Sequence, residues 1–525
     1  MHLGFDTVVK PALEQPLSTT GCISCGQCVS VCPTGALGER LSLQKSVPLE
    51  TECTDTTCSF CSLGCSMHLE TGGGMLIKAV PDREGPVNKG LLCARGRFGF
   101  DCAELEERLN APLVKHGNVL EQTDYHEAAV RTAKGLQAVA ARHGKDAVAV
   151  SISARMTNEE AFAMKQLADA IGARTLCFDH RENGLKRVLG FDASPNTIDE
   201  LLSTDVNLAV GFTAAKSVMR VKLMQAAKNG AKIVLINPEG AEQELAFLHK
   251  AVYVKNDLSF LKELARALLD LGKTSSAQGF DAFAESLSGV TPGEQAREVA
   301  ALYAGAKKAM ILCQQNPLTA DAAALLAEIA ALSGHLNAPR DGILQLRSKN
   351  NSQGLIDLGI TAGGEAMEGV KALLTFGEDP QAASVKDLEF LAVCDVHLTD
   401  TARRADVVFP GTGFACAEGT FTSTERRLQP VHAAIDSDVP LLNWQVAGAI
   451  AQVYEVALPY GDEADLSAAL DAALPVYRNA RLGEVTGGVL TCAAPVFAPV
   501  PAGAALVAPT PCADDLMNLM DSRMP

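Results

Sequence analysis

The chain has 525 residues, about three and a half times a single-core domain of roughly 150 residues, so several domains and a large buried core are expected. Hydrophobic residues make up 47% and charged residues 20%, and the apolar stretches are broken by charge, Gly or Pro, which excludes global disorder and a membrane span. Forty-five Lys and Arg against 62 Asp and Glu leave a formal charge of −17 with no basic block, which opposes nucleic acid or an anionic membrane as a partner.

The opening residues, Met1-His2-Leu3-Gly4-Phe5-Asp6, form neither the basic segment and apolar run of a secretory leader nor a twin-arginine signal, so a cytoplasmic protein is expected. Sixteen cysteines are present, and ten of them fall within residues 1–102. Short regular spacings in a reducing compartment favour thiolate ligation of a soft metal over disulfides. Residues 1–45 hold the first group, Cys22-x2-Cys25-x2-Cys28-x3-Cys32-Pro33, and residues 50–105 hold the second, Cys58-x2-Cys61-x3-Cys65-x27-Cys93. Cys53 fits neither spacing and reads as an incidental thiol, with completion of a local metal site as the alternative.

From about residue 106 the pattern changes. Short, continuously apolar runs at 146–151, 207–211, 232–237, 309–313, 372–376 and 406–409 have the character of buried parallel strands. Between them, segments such as Asn158 to Gly172, Ser217 to Asn229 and Ala320 to Leu332 repeat apolar residues every three or four positions, as helices do. Alternating strand and helix predicts doubly wound α/β layers over 106–475. Residues 476–525 form a Pro- and Ala-rich tail. Five prolines between Pro495 and Pro511 suggest an extended strap there, and Asp514 to Met520 one or two amphipathic turns. No Gly-x-Gly-x-x-Gly follows a strand, so no Rossmann-type nicotinamide or flavin pocket is expected. The ten histidines, among them His180, His335 and His397, show no paired metal spacing and read as structural or exposed, and Trp444 reads as core packing.

The first cysteine run has the spacing of bacterial ferredoxins, in which three thiolates hold one 4Fe–4S cubane and the fourth, before proline, turns to a second cluster. Two-cluster ferredoxins carry the run twice, whereas residues 1–21 contain no cysteine. A half of about 30 residues cannot bury a core alone. An iron–sulfur partner chain is therefore expected to complete the ferredoxin-like fold, with Cys32 ligating a cluster either in this chain or in that partner.

The second group is followed by Ala94-Arg95-Gly96-Arg97-Phe98-Gly99. It resembles the N-terminal iron–sulfur segment of the molybdopterin oxidoreductase superfamily, especially cytoplasmic formate dehydrogenase alpha subunits and the large iron–sulfur subunit of NADH:quinone oxidoreductase (respiratory complex I). The resemblance implies that Cys58, Cys61, Cys65 and Cys93 hold one 4Fe–4S cluster. It also implies that Arg95 stands for the basic residue, generally lysine in the formate dehydrogenases, that bridges cluster and pterin; an ordinary ion pair is the alternative role. Further blocks resemble the family in order: Arg155-Met-Thr-Asn-Glu-Glu160, Gly334-His-Leu-Asn-Ala-Pro339, Gly342 to Arg347 with Asn350-Asn351, Gly377-Glu-Asp-Pro380, Ala405 to Pro410, and Glu418 to Arg427. The fold implied is that of the formate dehydrogenase type, with doubly wound parallel sheets behind the iron–sulfur segments.

Several positions depart from the catalytic pattern. In formate dehydrogenases a cysteine or selenocysteine that ligates molybdenum or tungsten follows a segment like Thr175-Leu-Cys-Phe-Asp-His180, but no Cys, Ser or Asp stands near Leu185. Cys177 lies about eight residues early and reads as a buried small residue. Thr213 stands where Asn is usual, Asn237 for Asp and Asp379 for Asn. Catalytic relatives also close over the cofactor with a further C-terminal domain, where this sequence has its Pro- and Ala-rich tail. Molybdopterin is therefore not expected, and no catalytic residue is assigned. The expected function is an electron relay through 4Fe–4S clusters in a multisubunit NAD(P)H- or ferredoxin-linked oxidoreductase, complex I-like or electron-bifurcating. Its expected partners are a flavin- and NAD(P)-binding subunit and other iron–sulfur subunits, with ferredoxin as a further candidate. A catalytic molybdenum or tungsten formate dehydrogenase subunit and a non-redox structural subunit are the alternatives.

Overall fold

A computed structural model of the chain describes residues 14–15, 17, 22–38, 50–100, 108–181, 183–212, 217–241, 245–315, 318–474, 476–477, 482–486 and 490–507. Thr213 and the segment Asp514 to Met520 lie outside the described residues.

Three antiparallel strands, β1 (Glu52–Thr57), β2 (Ser66–Gly72) and β3 (Met75–Pro81), make a small sheet in the order β1-β2-β3. Behind it lie β4 (Leu113–His116), β5 (Val119–Gln122), β6 (Val148–Ile152), β7 (Arg174–Leu176), β8 (Val206–Val210), β9 (Lys232–Pro238), β10 (Lys250–Val254), β11 (Ala309–Gln314), β12 (Gly342–Leu346), β13 (Ala372–Phe376), β14 (Phe390–Asp395) and β15 (Val407–Pro410). A final hairpin joins β16 (Gly419–Thr422) to β17 (Leu428–Val431). These form a seven-stranded sheet, β5-β4-β15-β14-β13-β6-β7, and a five-stranded sheet, β10-β9-β8-β11-β12. The five-stranded unit is inserted in sequence between β7 and β13 of the larger one.

The apolar runs seen in the sequence become the central strands. Every residue of β6, β8, β12 and β13 is buried, as expected for strands covered on both faces. The helix Asn158–Ile171 shows how the local sequence sets its bounds. Thr157 Oγ1 accepts from the Glu160 N–H at 3.1 Å, the Glu160 carboxylate accepts from the Thr157 N–H at 2.9 Å, and the helix stops at Gly172 with φ +73°.

Both sheets contain a topological switch point. From β6 the chain steps outward to β7, whereas from its parallel neighbour β13 it steps the other way to β14 and β15. The adjacent β8 and β11 diverge in the same manner. Open α/β sheets bind ligands at the carboxyl ends of such strand pairs, so the fold creates two crevices.

The tail crosses the five-stranded unit as a strap. Phe497 is 3% exposed, with its ring centroid 5.2 Å from Phe283 and 5.6 Å from Phe280. The Phe497 N–H donates to the Gln278 carbonyl at 2.9 Å, and the Ala498 N–H donates to Glu328 at 2.8 Å. Trp444 is buried on the helix Asn443–Val453, as its sequence context suggested. Among the described residues no helix is long and apolar enough to cross a membrane.

Candidate iron–sulfur centre and the crevices behind it

The second cysteine group closes between β1 and β2. The Cys58 N–H donates to the Cys65 carbonyl at 2.8 Å, which folds residues 58–65 into a tight loop. Cys93 is delivered by a second loop stapled to β2 through Asn88, whose Oδ1 accepts from the Ser66 N–H at 2.9 Å and whose Nδ2 donates to the Ser66 and Leu91 carbonyls at 2.9 and 2.8 Å. Cys93 then caps the helix Ala94–Phe98. Gly96 allows the close approach, because a Cβ there would lie 3.2 Å from Cys58 Sγ.

The four sulfurs gather in a largely desolvated nest. Cys58 and Cys65 are buried, and Cys61 and Cys93 are half-buried. Burial, and then the neighbouring thiolate charges, push the Cys58 and Cys65 thiols far up and Cys61 up to about 11. Thiols in such a place ionise together only if a cation compensates them, so this donor set suits a thiolate-bound metal cluster. Arg95 and Arg155 oppose the shift at Cys61, and Lys222 opposes it at Cys65. Arg95 therefore acts electrostatically on the nest.

The body grips the same loop. Arg155 Nη1 donates to the Ser59 carbonyl at 2.9 Å, Ser62 Oγ donates to the Arg347 carbonyl at 2.7 Å, and the Thr424 N–H donates to the Ser62 carbonyl at 2.7 Å. Gly64, at φ +67°, lies so close to the Gln429 amide that any side chain would collide with it. Arg155 belongs to a block singled out in the sequence and Lys222 does not. No local pattern marks either as a neighbour of the cysteines.

The first run folds as loop, short helix (Gln27–Ser30) and loop, and it docks on the second segment. Gln27 Nε2 donates to the Gly90 carbonyl, and Arg97 Nη2 donates to Ser30 Oγ at 3.2 Å. Cys22 Sγ accepts from the Ser24 N–H at 3.3 Å; Cys25 is half-buried and Cys28 exposed. Cys32 stands among N–H donors of its own, with Leu37 the strongest, followed by the Thr34 hydroxyl and N–H, and they lower its thiol to about 7.

The crevice at β6 and β13 contains charge. Glu378, just beyond β13, accepts from the Phe178 N–H at 3.0 Å, from Ser151 Oγ and from Cys177 Sγ at 3.3 Å. Burial first, and then Asp179, raise Glu378 to about 7 against the pull of Lys349. Lys349 Nζ lies 2.8 Å from Asp179 Oδ2, with the two side chains only 7% and 11% exposed. Asp395 is raised to about 6 by burial and by Asp379. Nearby, Arg347 Nη2 pairs with Asp192 at 2.7 Å and holds that carboxyl below the usual range although burial works against its charge. His180 is held neutral by burial, which lowers it to about 4, and its Nδ1–H donates to the Ile360 carbonyl at 2.7 Å.

These residues offer no protein thiolate to a molybdenum or tungsten ion at the expected position. Leu185, where a metal thiolate is expected, is fully buried in the apolar core of the five-stranded unit. Cys177 directly follows β7, is fully buried and is hydrogen-bonded to Glu378, whose charge together with burial pushes its thiol well up. Polar capacity remains elsewhere in the crevices. Asn237 Oδ1, Asn350 Oδ1 and His180 Nε2 are buried without a hydrogen-bond partner among the described residues.

Comparison with known proteins places this geometry. The 4Fe–4S binding domain matches residues 17–38, the Fe4S4 domain of molybdopterin oxidoreductases matches 51–104, and the molybdopterin oxidoreductase family matches 108–452. The chain is 27% identical to F420-dependent formate dehydrogenase 2 subunit alpha of Methanococcus maripaludis, with 76% of this chain and 69% of that protein aligned. It is also 27% identical to formate dehydrogenase H of Escherichia coli, over 75% of this chain and 67% of that one. Against a probable oxidoreductase of Bacillus subtilis the identity is 24%, and the alignment spans 60% of the relative's length. Among solved structures, acetylene hydratase from Pelobacter acetylenicus shares the fold, with a TM-score of 0.60 at 13% identity over 78% of this chain and 71% of that chain. With both iron–sulfur segments and most of the α/β body matched in sequence order, the chain belongs to the molybdopterin oxidoreductase family.

Proposed function

We propose that this chain is an electron-transfer subunit of a multisubunit NAD(P)H- or ferredoxin-linked oxidoreductase, in which its α/β body no longer carries out molybdenum or tungsten chemistry. The observation that carries the reading is a contrast between two sites. Four thiols converge at 58–93, while the position of the metal thiolate is an apolar core leucine and the crevice beside it contains the Lys349–Asp179 ion pair. When bound at Cys58, Cys61, Cys65 and Cys93, a 4Fe–4S cluster supplies one-electron transfer. The chain's own residues fix its place and its electrostatic surroundings: Arg95, Arg155 and Lys222 bring positive charge, and the body's hydrogen bonds to Ser59 and Ser62 hold the loop rigid.

Cys22, Cys25, Cys28 and Cys32 are assigned to a further cluster site, docked on the second segment through Arg97. The separate hydrogen-bond environment of Cys32 agrees with its service to a cluster shared with a partner iron–sulfur subunit. Redox partners of the flavin- and NAD(P)-binding kind and a cytoplasmic setting complete the proposal. One relative is itself a subunit, F420-dependent formate dehydrogenase 2 subunit alpha, which supports a multisubunit setting.

The test is metal analysis with anaerobic EPR of the purified chain. Iron without molybdenum, tungsten or released pterin, and dithionite-reducible 4Fe–4S signals, are expected. About one equivalent of molybdenum or tungsten with pterin would instead support a catalytic formate dehydrogenase-like subunit, a reading favoured by the unpaired polar atoms of Asn237, Asn350 and His180. An EPR-silent, iron-free protein would leave a structural subunit.

A further inference from the structure

The geometry points to a mononuclear transition-metal site of the zinc class on the exposed face of the small N-terminal sheet, with Cys53, Asp55 and His68 as ligands. It lies outside both cysteine runs and does not depend on the electron-relay reading.

The strand pairing builds the site. In the β1–β2 register Asp55 faces His68 and Cys53 faces Glu70. Side chains two residues apart on a strand share a face, and directly opposed residues meet across the pair. Cys53, Asp55 and His68 therefore project together. Their ligand atoms, a sulfur, a carboxylate oxygen and an imidazole nitrogen, all lie within 4.8 Å of one another. His68 Nδ1 is 2.6 Å from Asp55 Oδ1.

The second ring nitrogen supplies an independent observation. His68 Nε2 faces Asp82, with 3.8 Å between Nε2 and Oδ1, and the same Asp82 oxygen is fixed by the Glu84 N–H at 2.9 Å. A histidine with one nitrogen toward other ligand atoms and the other toward a carboxylate has the arrangement of a metal-binding imidazole whose tautomer is set from behind. Asp82 is thus a positioning residue.

Charge and chemistry select the occupant. Asp55, Glu70 and Asp82 outweigh Lys78, which pairs with Glu70 at 3.1 Å, so a cation is attracted. A thiolate with an imidazole disfavours calcium and magnesium and suits zinc. Zinc bonds of about 2.0–2.3 Å require donors roughly 3.3–3.8 Å apart in a tetrahedron, so the Asp55–His68 pair must open by about 0.7 Å and any donor lying as far as 4.8 Å must close by about 1 Å. Their exposure permits it: the Asp55 side chain is 80% exposed and Cys53 is exposed. The fourth position faces solvent and takes a water.

The experiment uses the full chain with its clusters intact, supplied anaerobically with two equivalents of zinc and then dialysed. Zinc and iron are counted by mass spectrometry, and the zinc environment is read by X-ray absorption. One retained zinc with one sulfur and three nitrogen or oxygen neighbours is expected. Cys53→Ser and His68→Ala should each retain less than about a tenth as much zinc at unchanged iron, and Asp82→Asn should weaken affinity about 10- to 100-fold at unchanged stoichiometry. Unchanged iron also reports that the variants fold. Absence of retained zinc in the unaltered chain, equal retention in Cys53→Ser and His68→Ala, or a four-sulfur shell, which would place zinc among the cluster cysteines, each overturns the assignment.

Discussion

Replacing Lys349 by Met removes the cation from the crevice at β6 and β13, leaves Asp179 and Glu378 to repel each other in near isolation from water, and withdraws a positive charge from Asp395. Breaking a buried ion pair from one side costs about 3–5 kcal/mol. The pH dependence follows from the way the site can relax. A carboxyl with an ordinary pKa near 3.9 can be neutralised at a cost of about 1.36 kcal/mol per pH unit above that value, roughly 3 kcal/mol at pH 6 and 5–6 kcal/mol at pH 8. Loss of Lys349 also raises Glu378 beyond its present value of about 7. A carboxyl whose folded pKa is raised loses stability for the fold as pH climbs from the unfolded value to the folded one. Lys349→Met should therefore be less stable than the unaltered protein at both pH values, with a deficit at pH 8 larger by about 2–3 kcal/mol. For a unit of 150–250 residues that added deficit is worth roughly 4–12 °C in melting temperature. Anaerobic calorimetry at pH 6 and pH 8 measures it, and Asp179→Asn added to Lys349→Met should restore part of the loss. Equal deficits at the two pH values, or no deficit, would refute the idea that this lysine neutralises a buried acidic crevice.

Cys65→Ser should lower the iron content by about four per chain and remove one reducible EPR signal, as iron analysis and spin quantitation would show; unchanged iron sinks the four-thiol assignment. Arg95→Gln should lower the midpoint potential of that same signal by tens of millivolts in a redox titration, since a positive charge acting on Cys61 is withdrawn. Glu328, 3% exposed and hydrogen-bonded by the Ala498 N–H, is pushed by burial from 4.5 up to about 8, so the fold loses stability between those values as pH rises. Glu328→Gln should then unfold at a higher temperature than the unaltered chain at pH 9, by an amount equivalent to at most about 5 kcal/mol, with the gain vanishing at pH 4. Phe497→Ala should cost about 3–5 kcal/mol at the strap, read as faster hydrogen exchange over 490–507.

Cysteine spacing and the apolar runs are local properties, and they were legible in the sequence. The strands over 207–211 and 372–376 and the helix beginning at Asn158 lie where the apolar runs and periodicity put them, because backbone geometry and burial on both faces act over a few residues. The two iron–sulfur segments were equally legible, since regularly spaced cysteines mark them within a short stretch of chain. What only the tertiary structure decided are the meetings between residues far apart in the chain. Arg155 reaches the cysteine loop at Ser59, Lys222 acts on Cys65, Arg97 joins the two iron–sulfur segments, and Lys349 meets Asp179 across 170 positions. Cys53 and His68 show the difference most plainly. Each looked incidental in one dimension, and the strand register places them on one face, because period-two alternation and cross-strand pairing are set by which strands pair and not by the residues between them.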